Sequence, residues 1–202
     1  LTMPELVARA VGAVGERLED WLTLERLDPA YRACFADGSI LHVHTDTAAM
    51  AGEVARLCGP READGYLRFV SYVRRLFALE FDAFIDRNLD SPLDLLRFDL
   101  LRLVAMGGFR RLAPKLTQFF RDARLQRVFG FQSMYAGLSP HEALALYAVI
   151  AYFDAIAGVW FPRGGMHAVP SAMARVAEKH GVTIHYDTTA TGLDVVGGRV
   201  RA

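Results

Sequence analysis

The sequence predicts an α/β chain, α+β in its arrangement, in which helices dominate, a first domain carries a small sheet, and a second domain supplies strands near the C-terminal end. Three observations predict it. Apolar residues recur at spacings of three and four through most of residues 45–153, the repeat of one helix face. "YRACFADGSILHVHT" holds two alternating runs joined by Asp37-Gly38, a strong hairpin signal. After Gly158 the apolar period changes from helical to alternating in "GVTIHYDTTATGLDVVGGRVRA". The expected division therefore falls between 1–158, with a hairpin near 31–44, and 159–202.

Taken in order, residues 4–21 place Leu6, Ala10, Val14, Leu18 and Trp21 at helical spacing, with Pro4 suited to a first turn. The hairpin follows. "READGYLRFVSYVRRLFALEFDAFI" carries Tyr66, Phe69, Val73, Phe77, Phe81 and Phe84 along one helical stripe. Such a stripe is first of all a core face; the other reading makes it the wall of a passage for a long apolar molecule. "SPLDLLRFDLLRLVAM" opens with Ser91 as N-cap and Pro92 at the first helical position. "SPHEALALYAVIAYFDAIAG" predicts another helix, its capping box formed by Ser139 and Glu142. The stretch Ala143–Phe161 is long and apolar, but Asp154 would cost about 2.5–3.5 kcal/mol near a bilayer centre, and Gly158 with Pro162 ends the helix early. A buried or interfacial helix is expected there. The last residues read as a strand, a break, and a second strand turning at Gly197-Gly198; the chain begins without methionine and stops within that strand, as a cut piece would.

Composition narrows the function classes. With 23 basic and 23 acidic side chains, the chain lacks the cationic surplus that phosphate neutralisation needs, which argues against a nucleic-acid partner. Hydrophobic residues reach 52%, above the ordinary ~45–50%, and 13 Phe, 7 Tyr and 2 Trp supply area enough to fill a core and line an apolar cavity. Cys34 and Cys58 stand in no C-x-x-C pattern, so reduced, buried thiols and an intracellular setting are expected. His42 and His44 share a strand face without a third ligand at suitable spacing, so no metal is expected. Neither Gly107-Gly108 nor Gly197-Gly198 completes a G-x-G-x-x-G turn. Asp94 and Arg97, three apart, can place a carboxylate beside a cation, either as an exposed ion pair or as a working one. In "GVWFPRGGMHAVPSAMARVAEKHG", Gly164 and Gly165 precede a helix; they either make a turn or let another group approach the backbone.

"FQSMYAGLSPHEALALYAVIAYFDAIAGVWFPRGGMHAVPSAMARVAEKHGV" resembles the corresponding region of bacterial phytoene desaturases, carotenoid-forming members of the flavin amine oxidase superfamily. "LTMPELV", "LDPAYRACFADGSILHVHTD" and "GPREADGYLRFVSYVR" are similar to that family's pattern, in the family's order. The resemblance implies a mostly helical substrate domain over 1–158 and part of a Rossmann-like FAD-binding domain over 159–202, in a central fragment of an FAD-dependent carotenoid desaturase. Gly164, Gly165, Met166 and the backbone at Ala190 would then meet the cofactor, whose main anchoring motif lies outside this chain, so the fragment alone would be inactive. Phe131, Tyr135, Trp160 and Phe161 would line the path of an apolar carotenoid precursor, and Asp94 with Arg97 would assist proton handling. The enzyme would sit in the cytoplasm, peripheral to the inner face of the cell membrane. Other flavin oxidoreductases of the superfamily, or a non-catalytic lipid-binding module, are the alternatives.

Overall fold

The computed structural model describes residues 1–88, 90, 91 and 98–201, apart from the side chain of Asp82. Helices dominate the described residues, with two-stranded sheets between them. The chain divides into two compact units: Leu1–Pro4 with Glu25–Phe161, and Glu5–Leu24 with Pro162–Ala202. The break thus falls three residues beyond Gly158, and an N-terminal segment groups with the C-terminal one.

In the first unit the hairpin forms where its dipeptide predicts. β2 (Tyr31–Cys34) and β3 (Ile40–Val43) pair antiparallel, Tyr31 opposite Val43 and Cys34 opposite Ile40. The Asp37 carboxylate accepts the Ser39 N–H at 2.9 Å and its hydroxyl at 2.6 Å, which closes the turn. Alternation turns Arg32 and Cys34 outward, so Cys34 is exposed instead of buried. Short β1 (Leu24–Arg26) pairs with β4 (Trp160–Pro162), and Leu27 N–H donates to the Val159 carbonyl at 2.8 Å.

α2 (Thr47–Cys58) starts at Asp46, whose carboxylate caps the Ala49 N–H at 2.8 Å, and α3 (Pro60–Glu80) starts on Pro60. The N-terminal half of the predicted aromatic stripe is core. Tyr66, Phe69 and Val73 are buried with Phe120 and Phe129, against Met50 and Val54 of α2 and Leu41 and Val43 of β3. Their rings touch at ordinary offset geometry, Phe69 to Phe129 at 5.2 Å and Phe120 stacked on Phe129 at 5.1 Å. α3 then loosens into a π turn over Phe81–Ile85. α4 spans Phe98–Ala105; of the start expected at Ser91 and Pro92, Pro92 and residues 93–97 lie outside the described ones. α5 (Leu112–Leu116) and α6 (Ala123–Val128) complete this side of the core.

The helix expected from Ser139 onward is interrupted. Its capping pair forms, Ser139 hydroxyl to Glu142 at 2.9 Å, and one turn closes from Ala143 N–H to the Ser139 carbonyl at 2.8 Å. Leu144 is then extended, because the Ala143 carbonyl accepts from Leu112 N–H (2.9 Å) and Ala145 N–H donates to the Arg110 carbonyl (2.7 Å). Tertiary partners take the groups that helix continuation would use. The chain resumes as a 3₁₀ turn over Ala145–Ala148, α7 (Val149–Tyr152) and a π turn over Phe153–Ala157. Among the described residues no helix is long and apolar enough to cross a membrane.

In the second unit α1 (Pro4–Gly12) is shorter than the predicted 4–21. Gly15, at φ +83°, takes the left-handed position of a Schellman cap: Glu16 N–H donates to the Val11 carbonyl and Gly15 N–H to that of Gly12. Leu18 still reaches the core by a 3₁₀ turn, packing with Val11, Leu22, Ala172 and Val176. The last two belong to α8 (Ala168–Lys179). One carboxylate, Glu16, gathers the Trp21 indole N–H (3.2 Å), Lys179 (2.6 Å) and His180 (3.0 Å), and these partners hold its pKa down at about 2. Residues 182–194, expected to be largely strand, make no strand pairing among the described residues, because an extended segment needs a neighbour for its N–H and C=O groups. The final turn at Gly197-Gly198 does form, joining β5 (Val195–Val196) to β6 (Arg199–Val200).

Candidate functional site

An apolar cavity of about 670 Å³ lies within the first unit. The end of α3 and its π turn contribute Glu80 and Phe84, α4 contributes Leu100 and Leu103, and α7 with its flanking turns contributes Ile150 and Phe153. Both approaches to the cavity thus change from α to π geometry, a shift of register that turns side chains to new directions and recurs at functional sites. Phe77 stacks on Tyr152 at 4.1 Å and meets Phe153 edge-on at 5.6 Å, fixing the two turns against each other.

Two acids are buried here. Glu80 is 4% exposed, its Oε1 has no partner among the described residues, and burial pushes its pKa up to about 8. Asp154 is 5% exposed and neither oxygen has a well-formed protein hydrogen bond; burial raises it to about 7, partly offset by the Gln132 amide and nearby backbone N–H groups. Gln132 donates to the Val128 carbonyl at 2.9 Å and to the Tyr31 oxygen at 3.4 Å. Burial, and then the Asp154 charge, push the phenols of Tyr31 and Tyr135 up. Burial with the Glu80 charge takes Tyr72 to about 12.

These raised carboxyls set a pH dependence. Each binds a proton in the folded state over a range where the unfolded chain, at 3.8 for Asp and 4.5 for Glu, has released it. Their contribution is full below about pH 4 and is lost as pH rises through 7 and 8. Urea midpoints are expected to fall across that window, and Asp154→Asn with Glu80→Gln to flatten the decline; an unchanged slope in the double variant would refute the assignment.

The sequence-derived candidates fall in several places. Phe131 and Tyr135 meet edge-on at 5.7 Å, and Phe131 meets Tyr31 at 5.9 Å. Phe131 borders a shallower hollow of about 410 Å³ along β2, and Tyr135 is largely exposed. Trp160 lies in β4 beneath the Arg26 guanidinium, 5.6 Å from its ring, and Phe161 is half-exposed beside it. None of these four is among the residues lining the larger cavity, which Phe84 of the aromatic stripe does reach. Asp94 and Arg97 lie outside the described residues. His42 pairs with Glu53 and His44 with Asp28, and no metal-holding group of three ligands occurs among the described residues. Cys58 is half-buried, its thiol pushed up to about 12 by burial and by Asp122.

In the second unit Gly165 N–H donates to the Pro162 carbonyl at 2.9 Å, a turn that puts Gly164 and Gly165 at φ +89° and +91°. Apart from their chain neighbours, no described residue comes within 4 Å of where either side chain would start, and Met166 beside them is half-exposed. This edge of backbone leaves space for a flat group to lie along it, and the sequence holds no glycine-rich turn of the kind that takes a pyrophosphate. Ala190 is exposed within the unpaired 182–194 stretch.

Glu80 and Asp154 did not stand out as candidates in the sequence, although each left a trace. Glu80 occupies a stripe position, four residues before Phe84, and Asp154 is the acid inside the apolar Ala143–Phe161 run.

Residues 9–202 match the family described as flavin containing amine oxidoreductase. The chain is 54% identical over 202 residues to a phytoene dehydrogenase of Streptomyces griseus, a match covering 100% of this chain and 40% of that protein. It is 36% identical to a zeta-carotene-forming phytoene desaturase of Myxococcus xanthus (98% of this chain, 38% of that protein). With a 4,4'-diapolycopene oxygenase of a Methylomonas species the identity is 28% (100% and 41%). The chain spans about 40% of the length of these curated relatives. The resemblance to phytoene desaturases is thereby borne out, and the chain belongs to the flavin containing amine oxidoreductase family.

Proposed function

We propose that the protein works as an FAD-dependent desaturase of a carotenoid precursor, and that residues 25–161 hold the substrate. The observation that carries this reading is the 670 Å³ cavity, lined almost wholly by apolar side chains, in a chain so similar to phytoene dehydrogenase. A long hydrocarbon offers no polar handle, so binding rests on apolar burial at about 25 cal/mol per Å² and on shape. Flavin, when bound, supplies a two-electron acceptor for hydride. The chain's own share is to hold the polyene, exclude water from the reacting carbons and, through the open backbone at Gly164 and Gly165, Met166 and the Ala190 backbone, to meet one edge of the cofactor. Phe131, Tyr135, Trp160 and Phe161 extend the apolar path. The test is the full-length protein with FAD and phytoene in liposomes, its products separated by chromatography: new conjugated double bonds are expected, and unconverted phytoene would overturn the reading.

Such a substrate dissolves in membranes, and α4 suits a place at the membrane surface. Leu100 and Leu103 line the cavity, while Phe98, Leu101 and Val104 of the same helix are exposed. An apolar ridge of this kind on a charged chain marks an interfacial contact, here at the inner, cytoplasmic face of the cell membrane. Changing both Phe98 and Leu101 to Glu is expected to weaken liposome binding about tenfold or more, each side chain contributing about 1.5–3 kcal/mol of burial. Co-sedimentation measures it, and undiminished binding would remove α4 from the contact.

A further inference from the structure

We infer that Glu80 is the group that takes up the proton when a hydrocarbon held in the apolar cavity is desaturated. This rests on the desaturase reading and adds a residue to it. Desaturation breaks two C–H bonds on adjacent carbons. One leaves as hydride to the oxidised flavin, which is reduced; the electron pair of the other becomes the second bond of the new C=C, and its proton needs an acceptor. Among the described residues lining the cavity, Glu80 carries the one carboxyl, and none is a cation.

Placement suits the task. Glu80 is the last residue of α3, where the helix passes into its π turn, and Oε1 is buried without a partner among the described residues at a wall of the cavity. An unpartnered oxygen is free to receive a proton without first giving up a hydrogen bond. Among the described residues, the titratable and charged groups on the elements packed here are Tyr72 on the same helix, Tyr147 in the cavity wall, and on α4 Asp99 and Arg102, 3.5 Å from each other. Lys115 sits over the Tyr72 ring at 4.7 Å. Burial pushes the carboxyl up to about 8, where it gains and loses a proton close to neutral pH. Asp154, similarly buried, is not among the lining residues.

The test compares full-length holoenzyme with Glu80→Gln, which keeps the shape, and Glu80→Asp, which keeps the acid one methylene further back. Glu80→Gln is expected to slow phytoene desaturation about 100-fold or more, to leave phytoene binding by fluorescence quenching unchanged, and to abolish the rise of kcat/KM with pH; Glu80→Asp keeps that rise at a lower rate. Independently of turnover, the infrared carbonyl band of protonated carboxyls in the flavin-free protein is expected to show a component lost as pH rises through about 8 in the wild type, and Glu80→Gln is expected to lack that component while keeping the one from Asp154 that titrates near 7. Wild-type rates or an unaltered pH profile in Glu80→Gln, or a wild-type spectrum without that titration, would overturn the inference while leaving the desaturase reading intact. A wild-type enzyme that leaves phytoene unchanged would instead overturn the reading itself.

Discussion

Replacing Gly65 by alanine is expected to destabilise the first unit by about 3 kcal/mol or more, the upper end of what overpacking costs. Gly65 lies inside α3, where helix propensity alone predicts a gain of about 1 kcal/mol from the same change. The two effects have opposite signs, so the measurement decides between them. A Cβ at this position would stand 2.1 Å from the Phe119 carbonyl oxygen and 3.2 Å from its carbon. That neighbour is backbone, which cannot swing aside as a side-chain tip can, so α3 or the segment before α6 must move. Urea denaturation followed by circular dichroism measures the loss, and a variant as stable as the wild type would show that the two segments separate at little cost.

Phe129→Ala is expected to cost about 3–5 kcal/mol. Its ring is 1% exposed and lies at the centre of the core, 5.5 Å from Tyr66, 5.2 Å from Phe69 and 5.1 Å from Phe120. Truncation removes contacts on three sides, and the neighbouring rings, packed against α2 and the hairpin, cannot all close the space. Phe161→Ala, by contrast, trims a half-exposed ring and is expected to stay within about 0.5 kcal/mol of the wild type. Similar midpoints for the two variants would mean that the aromatic cluster adapts to the loss of a member.

What was legible in the sequence was local. The Asp37-Gly38 turn makes its own hydrogen bonds to Ser39, and α3 carries a Pro start and an unbroken stripe, so each is settled by residues a few places apart. The interruption at Leu144 was not legible, because the groups that break the helix belong to residues 110–112 and reach it only after folding. The same holds for the end of α1, where the Gly15 cap competes with a periodicity that runs on to Trp21. At the candidate site, the aromatic stripe pointed to an apolar chamber, yet only Phe84 of its rings reaches the cavity. Glu80 was concealed by the habit of treating an acid on a helix as solvated. Whether a carboxyl at a stripe position faces water depends on what packs over it, here the segments near 100, 147 and 153.

The discontinuity of the second unit sets an order of events during synthesis. Residues 5–24, carrying Val11, Leu18 and Leu22, are made before residues 25–161, but their partners Ala172 and Val176 follow some 150 residues later. At about 5–20 residues per second that is a wait of roughly 8–30 s, during which Val11, Leu18 and Leu22 are without Ala172 and Val176. The intervening residues 25–161 hold a core of their own and can collapse meanwhile, which brings Glu25 and Phe161 within a folded body and shortens the effective loop that the late segment must close. Nascent chains stalled shortly after residue 161 should therefore be the stage at which a chaperone binds residues 5–24, and release should follow once α8 has emerged.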